Sequence, residues 1–82
     1  MTHVKITWKA FGSSQSAEIE IDSMDNLLES LFAQTNAYRG ALWNLIEAVL
    51  PEDRTHTALS VGDEVEIDGV AYRCADIGWE KI

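Results

Sequence analysis

From His3 to Phe11 the apolar residues Val4, Ile6, Trp8 and Ala10 alternate with Lys5, Thr7 and Lys9. Alternation at period two sends successive side chains to opposite faces of a strand, so one face is buried and the other carries the lysines. Gly12-Ser13-Ser14-Gln15 reads as a loop. Beyond it Ala17, Ile19 and Ile21 alternate with Glu18, Glu20 and Asp22, which predicts a second strand with an acidic outer face. Paired as a hairpin, the two strands set Lys5 and Lys9 among Glu18 and Glu20, at roughly 0.2–1 kcal/mol per cross-strand pair.

The period then changes to that of a helix. Met24, Leu27, Leu28 and Leu31 recur at i, i+3, i+4 and i+7, with Phe32 widening the stripe, and predict a helix over about 24–34. Asp22 or Ser23 is placed to cap it by accepting from free first-turn amides, and Asp25 adds negative charge where the helix dipole favours it. Thr35-Asn36-Ala37-Tyr38-Arg39-Gly40 interrupts the pattern, since Asn and Gly favour turns. A second amphipathic helix starts near Gly40 or Ala41, with Leu42, Leu45, Ile46, Val49 and Leu50 on its apolar face, and stops at Pro51.

Residues 51–57 are a polar connector, and Gly62-Asp63 is a turn leading into a hairpin turned at Asp68-Gly69. Across a two-residue Asp-Gly loop, Ile67 stands opposite Val70, Val65 opposite Tyr72 and Asp63 opposite Cys74. On the other face the same register sets Glu66 opposite Ala71 and Glu64 opposite Arg73, acid against base. Trp79-Glu80-Lys81-Ile82 closes the chain as a short last strand. The expected fold is therefore α+β over residues 1–82 as a single domain. Its order is β-β-α-α-β-β-β, a small antiparallel or mixed curled sheet with two helices packed on one face. A small SH3-like barrel in the carboxy-terminal third is the alternative.

Composition sharpens this picture mostly by exclusion. At 82 residues with 46% apolar residues, the chain can bury one core, with dimerisation as a route to added stability. Its apolar runs are too short to span a bilayer, and the amino terminus lacks the pattern of a secretory signal, so a cytoplasmic location is the default expectation. Six basic against fourteen acidic residues give a net charge of −8, which repels phosphates and anionic membranes. No direct nucleic-acid or membrane binding is expected from a general basic surface.

Candidate chemistry is sparse. His3 and His56 have no second His, Cys or paired carboxylate at helical ligand spacing, so no metal or other cofactor is expected. The serines lack a nucleophile-elbow context, and no glycine-rich phosphate loop is present. Cys74, alone of its kind, reads as a small buried strand residue, with a reactive thiol as the alternative. Glu64 and Glu66 fall on an outer strand face, where the burial that raises catalytic pKa values is missing. Trp8, Trp43 and Trp79 read as core or core-rim residues. Tyr38, with Asn36 and Arg39 in a polar segment, has the residue types that anchor interfaces. The candidate interface residues are Asn36, Tyr38, Arg39, His56, Glu64 and Glu66, and no catalytic residue is expected.

Thr35-Asn36, Trp43-Asn44, the run Arg54 to Asp63, Asp68-Gly69, Tyr72, Cys74 and Gly78-Trp79 together resemble small uncharacterised proteins of actinobacteria, their phages and mobile elements. The resemblance spans roughly residues 24–80, and its Ser-Val-Gly-Asp to Gly-Trp part is the more specific. It implies a phage or mobile-element accessory context and supplies no catalytic residues. Thr35, Asn36, Thr57, Ser60 and Asp63 match its polar positions, which capping and turns explain equally well. The leading expectation is a non-enzymatic accessory protein that binds a host or phage protein. The alternative is an acidic mimic of nucleic acid, because Glu18, Glu20, Asp22 and Glu64, Glu66, Asp68 recur about 7 Å apart along a strand, near the phosphate spacing of one DNA strand. Less expected is a nucleic-acid reader built on an SH3-like carboxy-terminal region.

Overall fold

In a computed structural model of the chain, residues 1–9, 15–50 and 57–82 are described. They form β1 (Thr2–Thr7), β2 (Ser16–Ile21), α1 (Leu27–Asn36), α2 (Ala41–Val49), β3 (Glu64–Ile67), β4 (Val70–Cys74) and β5 (Trp79–Lys81). The end of the first predicted strand (Ala10, Phe11), the loop 12–14, the Pro51 stop, most of the polar connector and His56 lie outside the described residues. All strand pairs are antiparallel, in the order β2-β1-β3-β4-β5. The sheet is open, with β2 and β5 at its edges, so the carboxy-terminal third is not an SH3-like barrel. Its three strands instead extend the first hairpin by pairing β3 with β1.

The predicted hairpin register is the observed one, with Ile67 opposite Val70, Val65 opposite Tyr72, Glu66 opposite Ala71 and Glu64 opposite Arg73. Asp68 (φ 47°) and Gly69 (φ 87°) both take the left-handed conformation that a two-residue turn of this kind requires, the first eased by a short polar side chain, the second by the missing Cβ. Asp68 does more than turn the chain. Its Oδ1 accepts the His3 amide at 2.9 Å, and its own amide donates to the His3 carbonyl at 2.9 Å, so the turn also extends the β1–β3 ladder.

Alternation decides which face of the sheet is covered. Val4, Ile6 and Trp8 of the β1 segment, Ala17, Ile19 and Ile21 of β2, and Val65 of β3 join one buried cluster with Leu27 and Leu31 of α1 and Leu42, Trp43 and Ile46 of α2. Both helices therefore pack on the same face. Among the described residues no helix covers the opposite face, which carries Lys5, Glu18, Glu20, Glu64, Glu66 and Arg73.

The helices depart from the predicted boundaries for identifiable reasons. α1 starts at Leu27 behind Asn26, whose backbone is left-handed (φ 54°, ψ 40°) and whose side chain makes no cap bond. Neither Asp22 nor Ser23 caps it: the Ser23 hydroxyl lies 3.2 Å from that of Thr2 and ties the end of β2 to the start of β1. Met24 is consequently exposed rather than part of the apolar stripe. At its other end α1 runs through Thr35 and Asn36, because their side chains turn back on the helix. Thr35 Oγ1 donates to the Leu31 carbonyl at 2.9 Å, and Asn36 Nδ2 donates to the Phe32 carbonyl at 3.0 Å.

α2 is held at its start by a residue of α1. Gln34 Oε1 accepts the buried Trp43 amide at 3.1 Å, supplying a cap that Gly40 cannot provide. A Cβ at Gly40 would come within 2.6 Å of that same Oε1, so glycine is needed there for space. The buried arc of α2 holds Leu42, Trp43, Ile46 and Leu50, while Leu45 (44% exposed) and Val49 (50%) lie outside it. Trp43 falls on one flank of the expected stripe, and burying its ring rotates the helix until the other flank meets solvent.

Two buried polar side chains dock the segment between α2 and β3. The Leu59 amide donates to Thr35 Oγ1 at 3.1 Å and its carbonyl accepts from Asn36 Nδ2 at 3.0 Å, so Leu59, 1% exposed, enters the core without a strand neighbour. Asp63, equally buried, accepts the Lys9 amide on Oδ1 at 2.7 Å and the Ser60 amide on Oδ2 at 2.8 Å. Its backbone amide donates to the Ser60 carbonyl, and its carbonyl accepts from the Cys74 amide.

Two stability predictions follow from these bonds. Asp63→Ala leaves two buried or partly buried amides without an acceptor, a loss of about 2–4 kcal/mol and a fall in Tm of roughly 10–25 °C. Asp63→Asn, which retains one acceptor, falls between it and the native protein in the same thermal scan. Gly40→Ala costs about 1–2 kcal/mol by displacing the Gln34 cap. In a Gln34→Ala background the same change costs much less, so a urea double-mutant cycle reports strong coupling between the two positions.

Candidate functional site

The candidate interface residues fall into two groups that the fold keeps apart. Asn36, Tyr38 and Arg39 sit where α1 passes into α2. Glu64 and Glu66 lie on the helix-free face of the sheet, and His56 lies outside the described residues. Within the first group Asn36 has its amide committed to the Phe32 and Leu59 carbonyls. Arg39 stacks its guanidinium 3.8 Å from the centroid of the Trp43 ring. Tyr38 is left 58% exposed beside them.

On the helix-free face the charges interleave. Lys5 is the register partner of Glu18 on one side and Glu66 on the other. Lys9 Nζ meets Glu64 Oε2 at 2.9 Å, Arg73 Nη2 meets Glu80 Oε2 at 3.1 Å, and His3 Nε2 lies 3.7 Å from Glu18 Oε1. These pairs are solvated and contribute about 0–1 kcal/mol each. Their arrangement matters more than their energy: Lys5 and Arg73 break the acidic rows at neighbouring rungs of the ladder.

A concavity with different chemistry lies on the helix-bearing side, where α1 meets the end of β4 and the start of β5. Its volume is about 260 Å³, and Glu29, Phe32, Cys74, Ala75, Asp76, Gly78 and Trp79 line it. Glu29 and Phe32 come one turn apart on α1, and the other residues come from the β4–β5 hairpin. That hairpin is pinned by the Ala75 amide donating to the Gly78 carbonyl at 3.0 Å, with Gly78 at φ 70°. Ile77 stands at the tip, 93% exposed, next to Asp76 on the wall. The helices cover less of the sheet here than over β1 and β2, so Trp79, opposite Cys74 in the ladder, is only half-buried.

Among the described residues neither Glu29 nor Asp76 enters an ion pair or side-chain hydrogen bond. Cys74 forms part of the lining, but burial, and secondarily the negative charge of Asp63, push its thiol above the ordinary range. The thiolate is thus disfavoured, which fits the buried-strand reading of this residue. Among the described residues no group of three His, Cys, Asp or Glu side chains is placed to hold a metal ion, and no helix is long and apolar enough to cross a membrane.

Sequence reasoning singled out none of Glu29, Phe32, Asp76 and Trp79 as site residues. One usable signal was Ile77, a large apolar residue in an Asp-Ile-Gly turn. Another was Phe32, which extends the α1 stripe beyond the arc that such a helix can bury.

Cys74 supplies a prediction of its own. Iodoacetamide at pH 8 alkylates the native protein at least about tenfold more slowly than the urea-unfolded chain, as mass spectrometry will record. Because the folded thiol holds its proton more tightly than the unfolded one, its contribution to stability is full below the unfolded pKa and is lost as pH rises through the folded value.

No family model, curated protein or solved structure matches this chain.

Proposed function

We propose that the protein works by binding another protein, as an accessory factor of the phage or mobile-element kind that its sequence resembles, and that it docks through the concavity between α1 and the β4–β5 hairpin. The observation that carries this reading is the conjunction of a preformed hollow lined in part by aromatic residues and a large apolar residue left exposed in the adjoining turn. Phe32 (40% exposed) and Trp79 line a site of about 260 Å³, and Ile77, between the lining residues Asp76 and Gly78 in the chain, is 93% exposed. Burying an apolar side chain of this size releases roughly 1.5–3 kcal/mol, so leaving Ile77 in water is a standing cost that a partner would remove. Large ligands are disfavoured, since pockets for them run to about 300–1,000 Å³. One or two side chains of a protein partner fit the volume better.

The helix-free face supports a partner surface less well. Its acids alternate with Lys5, Lys9 and Arg73, whereas mimicry of nucleic acid needs an unbroken negative ridge.

Site-specific photocrosslinking tests the reading. With benzoylphenylalanine at position 77, a discrete covalent adduct is expected from a lysate of the cognate host. Phe32→Ser should weaken it several-fold, and benzoylphenylalanine at position 45 on α2 or at position 66 on the helix-free face should give none. Equal yields from all three positions, or no adduct at any salt concentration, would overturn the docking site.

A further inference from the structure

We infer that the concavity receives a cationic side chain, an arginine or a lysine, from a basic segment of the partner; this rests on the docking reading and names the chemistry of the occupant. Three features of the lining converge on a cation. Two acidic residues, Glu29 and Asp76, line it, one from α1 and one from the β4–β5 turn. Among the described residues neither has an ion-pair partner, and none of the seven described lining residues is basic. Phe32 and Trp79 line it as well, and the faces of aromatic rings carry the negative end of the quadrupole and attract cations.

The alternatives satisfy this lining less completely. An anionic side chain would meet two carboxylates with no counter-charge. A purely apolar side chain would suit Phe32, Ala75 and Trp79 but would strip water from Glu29 and Asp76 with nothing in return. An arginine or lysine meets both demands, its methylene stem against the aromatic residues and its charged head by the carboxylates. The chain already uses this chemistry internally, where the Arg39 guanidinium lies 3.8 Å from the Trp43 ring centroid. At longer range the net charge of −8 favours encounter with a basic segment over an acidic one.

The test needs no knowledge of the partner. N-acetyl-arginine amide is titrated into the ¹⁵N-labelled protein, with N-acetyl-citrulline amide and N-acetyl-leucine amide as neutral comparisons. The expected result is a saturable shift, in the millimolar range, of the Trp79 indole NH and the amides of Asp76 and Gly78. Citrulline and leucine amides should be several-fold weaker. Glu29 and Asp76 are both exposed, so Glu29→Gln and Asp76→Asn leave the core intact, and the same spectrum verifies the fold. Each should weaken the arginine amide by about two- to five-fold. Leucine amide binding as well as arginine amide, insensitivity to both substitutions, or shifts scattered over all surface carboxylates without saturation would overturn the assignment. A position-77 crosslink that persists when the arginine amide fails would overturn the cation alone and leave the docking site standing.

Discussion

The carboxylate of Asp63 joins three parts of the chain that have no other reason to meet. One oxygen holds the backbone of Lys9 just beyond β1, the other closes the turn from Ser60, and the residue's own carbonyl accepts the amide of Cys74 on β4. A side chain this deeply buried persists because both carboxylate oxygens accept backbone amides, and leaving a buried polar group without its bond is costly. The consequence is geometric. By fixing where β3 begins relative to the end of β1, Asp63 sets the β1–β3 pairing from one end, while Asp68 sets it from the other through both backbone groups of His3.

That pairing turns two hairpins into one five-stranded sheet, and the position of the helices then follows. The chain must travel from β2, on one edge, to β3, beyond β1, and it does so through α1 and α2 across a single face. α2 lies against β2, and Gln34 ties its first turn to α1. Two short helices cover the β2, β1 and β3 side of the sheet, with Leu31 and Ile46 of the helices and Ile6 and Val65 of the strands fully buried between the layers. They run out before β5. The concavity beside Trp79 therefore results from a five-strand sheet being wider than a two-helix layer, and its acidic and aromatic lining is what α1 and the last hairpin present at that step.

The Asp68-Gly69 hairpin was fully legible in the sequence because its information is local. A two-residue turn admits one register, and alternation on either side fixes which side chains face inward. The same reasoning placed Glu64 and Glu66 on the outer face. Element order and the single helical face were legible too, since hydrophobic period distinguishes strand from helix. The start of α1 was not. Asp22 and Ser23 have the chemistry of caps, but Ser23 finds Thr2 across the sheet, and no local rule ranks that partner above the helix amides. For α2, periodicity predicts an apolar arc without saying that Trp43, on its flank, is buried and that Leu45 and Val49 turn outward.

Local spacing is enough to set the elements, their order, the Asp68-Gly69 hairpin register and the two-faced character of the strands, because each depends on neighbours a few residues apart. Folding alone settles that β3 lies beside β1, that Thr35 and Asn36 serve the backbone of Leu59, and that Glu29 and Phe32 line one concavity with Asp76 and Trp79. Those contacts join residues 23 to 65 positions apart in the bonds that anchor the fold. Polar side chains of ordinary type make them, and such residues carry no mark of a distant partner until the chain has closed around them.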